Sequence, residues 1–163
     1  MAFNDISHKC SIGPKGICLT TDLDNLWHMN NSRYLRECDF GRMKLFLMTS
    51  VWKAVTKCGG SFVNAGNNIR YRKSIELLDR YIIRSKIIYW DEKAFYVNQH
   101  FIRARDNFIC AVNIAKMATI GTTPANIIRT LEGRDIPPPT PGPELIKLME
   151  SWQLSSENLR KNS

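Results

Sequence analysis

Four stretches between residues 68 and 120 alternate apolar and polar side chains, and the chain linking them is too short for any parallel crossover. Ile69, Tyr71 and Ile75 oppose Asn68, Arg70, Arg72 and Ser74 in the first. Tyr81, Ile83, Ile87 and Tyr89 alternate with Ile82, Arg84, Lys86 and Ile88 in the second. Phe95, Val97, Gln99 and Phe101 alternate with Tyr96, Asn98, His100 and Ile102 in the third. The fourth, Phe108 to Ile120, sets Cys110, Val112 and Ile114 against Ala111, Asn113 and Ala115. A period of two marks half-buried strands. The links at Leu78-Asp79, Trp90 to Lys93 and Asp106-Asn107 predict antiparallel neighbours in a meander, because a parallel connection needs a dozen residues or more.

Such a sheet must cover one face. From Asn31 to about Met48, Tyr34, Leu35, Cys38, Met43, Leu45, Phe46 and Met48 recur near helical spacing. Arg33, Arg36, Glu37, Asp39, Arg42 and Lys44 form the wet side. This predicts one amphipathic helix, about 27 Å long, capped by Asn30 or Asn31. Gly41, unfavourable in mid-helix, marks a close approach to another backbone. The fold class is α+β, with long strands that twist and curl around the helix.

The ends read differently. Gly13-Pro14 and Gly16 predict a turn with a brief strand on either side. Pro137, Pro138, Pro139, Pro141 and Pro143 make an extended linker, after which Pro143 and Glu144 suit a helix start. Leu145, Leu148, Met149 and Trp152 share one side of that helix. The expected organisation is a domain over 1–132 and a linker and helix over 133–163, packed on the domain or its partner.

Composition narrows the function. The 23 Lys and Arg against 15 Asp and Glu give +8, which favours anionic partners without choosing one. No run of five basic residues offers a nucleic-acid arm, and the aromatic and basic residues form no compact stacking motif for single strands. Cys10, Cys18, Cys38, Cys58 and Cys110 are odd in number and widely spaced, which fits a reducing compartment. His8, His28 and His100 stand far apart, so no metal site is expected. Met1 to Asp5 lack a signal-peptide pattern and no apolar run reaches membrane-spanning length. The expectation is a cytoplasmic protein, membrane-associated if an upstream anchor has been removed.

One constellation carries chemistry. Between Thr20 and Arg36 the chain reads TTDLDNLWHMNNSRYLR, two carboxylates, an imidazole and amides just before the helix. Open N–H groups and aligned peptide dipoles at a helix start stabilise an oxyanion. Asp22 or Asp24 could hold water or attack, and His28 or Asn30 could fix the geometry. The same residues also serve as caps and Asx turns, and spacing alone leaves both readings open.

The run Asp22-x-Asp24-x-x-x-His28-x-Asn30-Asn31-x-x-Tyr34-Leu35 resembles the signature of hotdog-fold acyl-CoA thioesterases of the 4-hydroxybenzoyl-CoA thioesterase type. With Arg36-Glu37, Tyr71-Arg72-Lys73-Ser74-Ile75, Asp79-Arg80 and Trp90-Asp91-x-Lys93-Ala94-Phe95-Tyr96 it resembles the THEM6-like branch, over roughly residues 8 to 120. The resemblance implies a helix wrapped by an antiparallel sheet, a homodimer with the acyl pocket at its interface, and hydrolysis of fatty or aryl acyl-CoA. Pairing of dimers into tetramers stays open.

By the same resemblance Asp24 is nucleophile or general base, the backbone N–H near Asn31 is the oxyanion donor, and His28 positions the thioester or the loop. Asp22, Trp27, Asn30 and Tyr34 complete the substrate surroundings. Arg70, Arg72 and Lys73 are candidates for the CoA phosphates, weighed against a solvated sheet face. Trp27 replaces the family's small residue before the histidine. No cofactor is expected beyond coenzyme A as part of the substrate. The rival reading is a non-catalytic hotdog dimer that binds acyl-CoA or scaffolds other proteins.

Overall fold

The computed structural model describes residues 11–161, so Cys10 and His8 lie outside the described residues. Strand β1 (Ser11–Ile17) is followed by a 3-10 turn (Thr20–Asp22) and the long helix α1 (Asn31–Met48). A short helix α2 (Val51–Lys57) leads into β2 (Ser61–Tyr71), β3 (Arg80–Trp90), β4 (Ala94–Arg103) and β5 (Ile109–Ile120). Helices α3 (Pro124–Glu132) and α4 (Pro143–Lys161) complete the chain.

All five strands form one antiparallel sheet in the order β1-β3-β4-β5-β2. It curls around α1, the hotdog arrangement. The expected meander holds for β3, β4 and β5 but not for β2, which pairs with β5 and not β3. Residues 72–79 are therefore no hairpin: they cross from one side of the sheet to the other. Ile75, expected on the first strand, lies in this crossing and is fully buried.

Gly13 and Pro14 are also not a turn; they lie inside β1 at an irregularity between Ile12 and Lys15. An edge strand tolerates proline at a bulge. A Cβ on Gly13 would sit 2.1 Å from the Ile83 carbonyl oxygen, so only glycine lets β1 approach β3.

The core between α1 and the sheet has two apolar clusters. One gathers Tyr34, Cys38, Ile75, Tyr81, Ile83 and Phe101 under the start of α1. The other gathers Phe46, Trp90, Phe95, Ile127 and Ile128 under its end, with α2 and α3 closing it. A bulge between Ile87 and Tyr89 shifts the alternation of β3. Tyr89, expected beside Tyr81, instead joins Tyr96 on the outer face. There α4 packs Leu145, Leu148, Met149 and Trp152, with the Trp152 and Tyr96 rings stacked at 6.3 Å.

Candidate active site

The loop before α1 is tied by its own backbone. The Asp24 N–H donates to the His28 carbonyl at 2.8 Å, and the Trp27 N–H donates to the Asp24 carbonyl at 3.1 Å. Asp24 Oδ1 accepts from the Leu26 N–H at 2.8 Å and the His28 N–H at 3.3 Å. This is an Asx turn, in which a short carboxylate stands in for a backbone acceptor. Its apex is Trp27, at φ +61° and 70% exposed. A tryptophan in the left-handed region stores backbone strain.

Two hydrogen bonds fix the loop to the rest of the protein. The Met29 N–H donates to the Ile75 carbonyl at 2.9 Å, and the Asn30 N–H to the Asp22 carbonyl at 2.8 Å. Asp22 is nearly buried, and its carboxylate is already engaged. Oδ2 accepts from the Leu19 N–H at 3.0 Å, while Oδ1 lies 3.4 Å from Arg36 and 3.6 Å from Arg33.

The cap of α1 is Asn30. Its Oδ1 accepts from the Ser32 N–H at 2.9 Å and the Ser32 hydroxyl at 2.7 Å. The Arg33 N–H donates to the Asn30 carbonyl at 2.9 Å. Among the described residues, this leaves the Asn31 N–H as the donor of the first three helical positions without a partner. It sits at the positive end of the helix dipole.

Asp24, His28 and Asn31 line one cavity of about 390 Å³. Across it stand Tyr71, Arg72, Lys73 and Ser74, brought there by the end of β2 and the crossing segment. Leu26, Met29 and Tyr34 complete the lining. Tyr34 is only 2% exposed, and its hydroxyl accepts from the Ile75 N–H at 3.2 Å. Burial pushes its phenol up to about 12, so it stays neutral. Tyr71 packs edge-on against the Tyr34 ring at 5.1 Å, and its hydroxyl donates to the Asn31 carbonyl at 3.3 Å.

The basic rim has its own support. Arg72 lies over the Phe108 ring at 5.0 Å and Lys73 at 5.6 Å, a cation–π arrangement. Arg72 also donates to the Ile109 carbonyl at 3.2 Å.

Of the residues singled out from the sequence, the cavity brings together Asp24, His28, Asn31, Tyr34, Arg72 and Lys73. It leaves out four. Asp22 braces the loop, Asn30 caps the helix, Trp27 projects from the turn, and Arg70 is exposed on β2. Leu26, Met29, Tyr71 and Ser74 were not singled out for the site. Tyr71 and Ser74 flank the Arg72-Lys73 pair, so the signal for them was adjacency to the basic rim. A second hollow of about 370 Å³, lined by Lys15, Arg80 and Tyr81 among others at the β1–β3 edge, holds no carboxylate.

Comparison with known proteins bears on the family and the fold. The profile of the thioesterase-like superfamily matches residues 18–142. Protein THEM6 of Xenopus laevis is 40% identical over 148 residues, covering 91% of this chain and 72% of that protein. The probable thioesterase YbaW of Escherichia coli superposes with a TM-score of 0.63 at 22% identity, over 68% of this chain and 83% of that one. The hypothetical protein SAV2348 of Staphylococcus aureus, solved in complex with CoA, gives 0.61 at 13% identity, over 82% and 90%. The chain belongs to the thioesterase-like superfamily of hotdog-fold proteins, closely related to the THEM6 proteins.

Proposed function

We propose that the protein hydrolyses acyl-CoA thioesters at the cavity between the Asp24 loop and the start of α1. One observation carries the reading: Asp24 and Asn31, whose N–H has no partner among the described residues, line the same cavity. The thioester carbonyl accepts from the Asn31 N–H, where developing negative charge is stabilised by the helix dipole. Asp24 takes a proton from water through Oδ2, the oxygen outside the Asx turn. The resulting hydroxide attacks the carbonyl carbon, the C–S bond breaks, and the CoA thiolate leaves and is protonated. In the covalent variant, Asp24 attacks directly and water cleaves the anhydride.

His28 holds the thioester from the loop side. Arg72 and Lys73 meet the CoA phosphates at the rim, and Arg70 extends that positive edge along β2. CoA bound to SAV2348 supports a CoA-type ligand for this fold.

A second copy of the chain completes the channel. Among the described residues, the 11-residue β2 pairs with β5 alone, and Phe40, Met43 and Leu47 are exposed on α1. A long free edge beside an apolar face is a template for strand pairing.

The turn made by Asp24 Oδ1 favours a second reading, a non-catalytic acyl-CoA binder. Release of CoA thiol from acyl-CoAs of several lengths separates the two. Asp24→Asn keeps an acceptor for the turn but loses the base. It should lower kcat by about 10²- to 10⁴-fold with the melting transition preserved. Unchanged activity in that variant removes Asp24 from catalysis. A wild type that binds substrate without turnover supports the binder.

A further inference from the structure

The space between α1 and the sheet is not apolar throughout. Between the two apolar clusters lies a polar belt: Ser85 of β3, Gln99 of β4, Asn113 of β5 and Asn67 of β2, met by Arg42 from α1. Ser85, Gln99 and Asn113 are fully buried and Arg42 is 3% exposed. Arg42 donates to Gln99 Oε1 at 2.8 Å and forms an ion pair with Asp39. Gln99 donates to the Cys38 carbonyl at 2.9 Å and the Ser85 hydroxyl at 3.0 Å. Asn113 donates to Asn67 at 3.1 Å and Gln99 at 3.2 Å, while its Oδ1 has no partner among the described residues. The close approach at Gly41 is to side chains of this belt and not to another backbone: a Cβ there would lie 2.9 Å from Gln99 Nε2 and 3.0 Å from the Ser85 hydroxyl.

Holding a helix on a sheet does not require such a belt. A buried guanidinium with amides is often no more stable than well-packed apolar side chains of similar volume, and one buried acceptor here goes unused. The belt also opens outward. Asp39 is 64% exposed, and Asn64 and Asn67 lie on the exposed strand β2. Oriented to satisfy both ends of its amide, Asn64 accepts from Arg42 at 3.1 Å. A bulge in β2 between Asn64 and Gly66 occurs at this point, and bulges re-aim side chains beside functional sites.

The seam between α1 and β2 has fixed ends. Tyr71 meets Asn31 at the cavity, and the Phe46 and Phe62 rings stack at 4.7 Å at the far end. Arg42 lies about 16 Å along the helix from Asn31, and Asn67 about 13 Å along the strand from Tyr71. We infer that the Arg42–Asn67–Gln99 belt is a specificity site for acyl groups carrying a hydroxyl at that distance from the thioester. This rests on the acyl-CoA reading above, which sets where the chain enters. The belt offers both donors and acceptors, as a hydroxyl requires. Asp39 already neutralises Arg42, which disfavours a carboxylate.

The test compares two non-hydrolysable thioethers, ω-hydroxydodecyl-CoA and dodecyl-CoA, titrated calorimetrically into the full chain. The hydroxylated compound should bind about 10-fold more tightly, the scale of one or two hydrogen bonds to buried partners. Arg42→Met should bring the ratio close to one. So should Asn67→Leu, whose exposed position protects folding if the arginine variant does not fold. Equal binding of both compounds by the wild type, or a ratio that survives in Asn67→Leu, overturns the inference alone. Failure of both compounds to bind overturns it together with the acyl-CoA reading.

Discussion

The two ends of α1 are built on opposite terms. At its C-terminal end, Phe46 stacks on Phe62, Phe62 meets Phe95 at 6.0 Å, and Ile127 and Ile128 of α3 seal the cluster without exposure. At its N-terminal end stand a strained Trp27, an unpartnered amide at Asn31 and a cavity rimmed by two cations. That end is held by polar ties: Asp22 with Arg33 and Arg36, and buried Arg103 with Asp79 and Asp106. The difference teaches where the fold is closed by apolar burial and where it leaves polar groups open. A helix firmly anchored at one end can present unsatisfied groups at the other, since burial at the closed end offsets their cost.

The largest expected effect breaks the closed end. Phe46→Ala should destabilise the protein by about 3–5 kcal/mol, the range for truncating a buried phenylalanine. Chemical denaturation measures this, and thioesterase activity per folded molecule should change little. A loss below about 1 kcal/mol would mean that α1 is not anchored there.

A smaller effect sharpens the contrast at the open end. The hydrogen bond from Arg103, the Phe108 N–H and the charges of Arg103 and Arg105 lower the Asp106 carboxyl from 3.8 to about 2. A depressed acid contributes stability above its ordinary value and loses it as pH falls toward the folded value. Wild-type stability should therefore decline between about pH 4 and pH 2, and less steeply in Asp106→Asn. Hydrogen exchange in acid should rise first around Arg103 and Asp79 while the Phe46 cluster stays protected. An identical acid limb in the variant would contradict this account.

What the sequence made legible follows the same division. Helix α1 was readable from Asn31 to Met48 by its spacing, but its faces were not read throughout: Arg42, expected on the wet side, is buried in the polar belt, and Met43 and Met48, expected on the covered side, are exposed. Strands β3, β4 and β5 were readable because each has a covered inner face. Strand β2 was readable only at its end, where Ile69 and Tyr71 alternate with Asn68 and Arg70. It begins at Ser61, and its Asn- and Gly-rich first part is largely exposed, so no alternation announces that part. Its partner was misjudged because residues 72–79 look short in sequence yet cross the sheet.

Helix α2 begins after Ser50 at φ +59°, a break that no proline marks. Helix α3 did carry a signal: Thr123 caps it and Pro124 occupies its first turn. At the candidate site, the motif before α1 was visible as a linear run. The facing wall of Tyr71 and Ser74 depends on a topology that linear spacing does not encode. The polar belt was equally hidden, because its members come from four strands and a helix.

The central claim is that a thioester carbonyl meets the Asn31 N–H. Its most direct test is an amide NMR titration of the protein with an acyl-CoA ketone analogue, in which methylene replaces the thioester sulfur. The account predicts a marked downfield shift of the Asn31 amide proton, with smaller shifts at Tyr71 and Ser74. An unmoved Asn31 amide, with shifts gathered instead around Lys15 and Arg80, would contradict it.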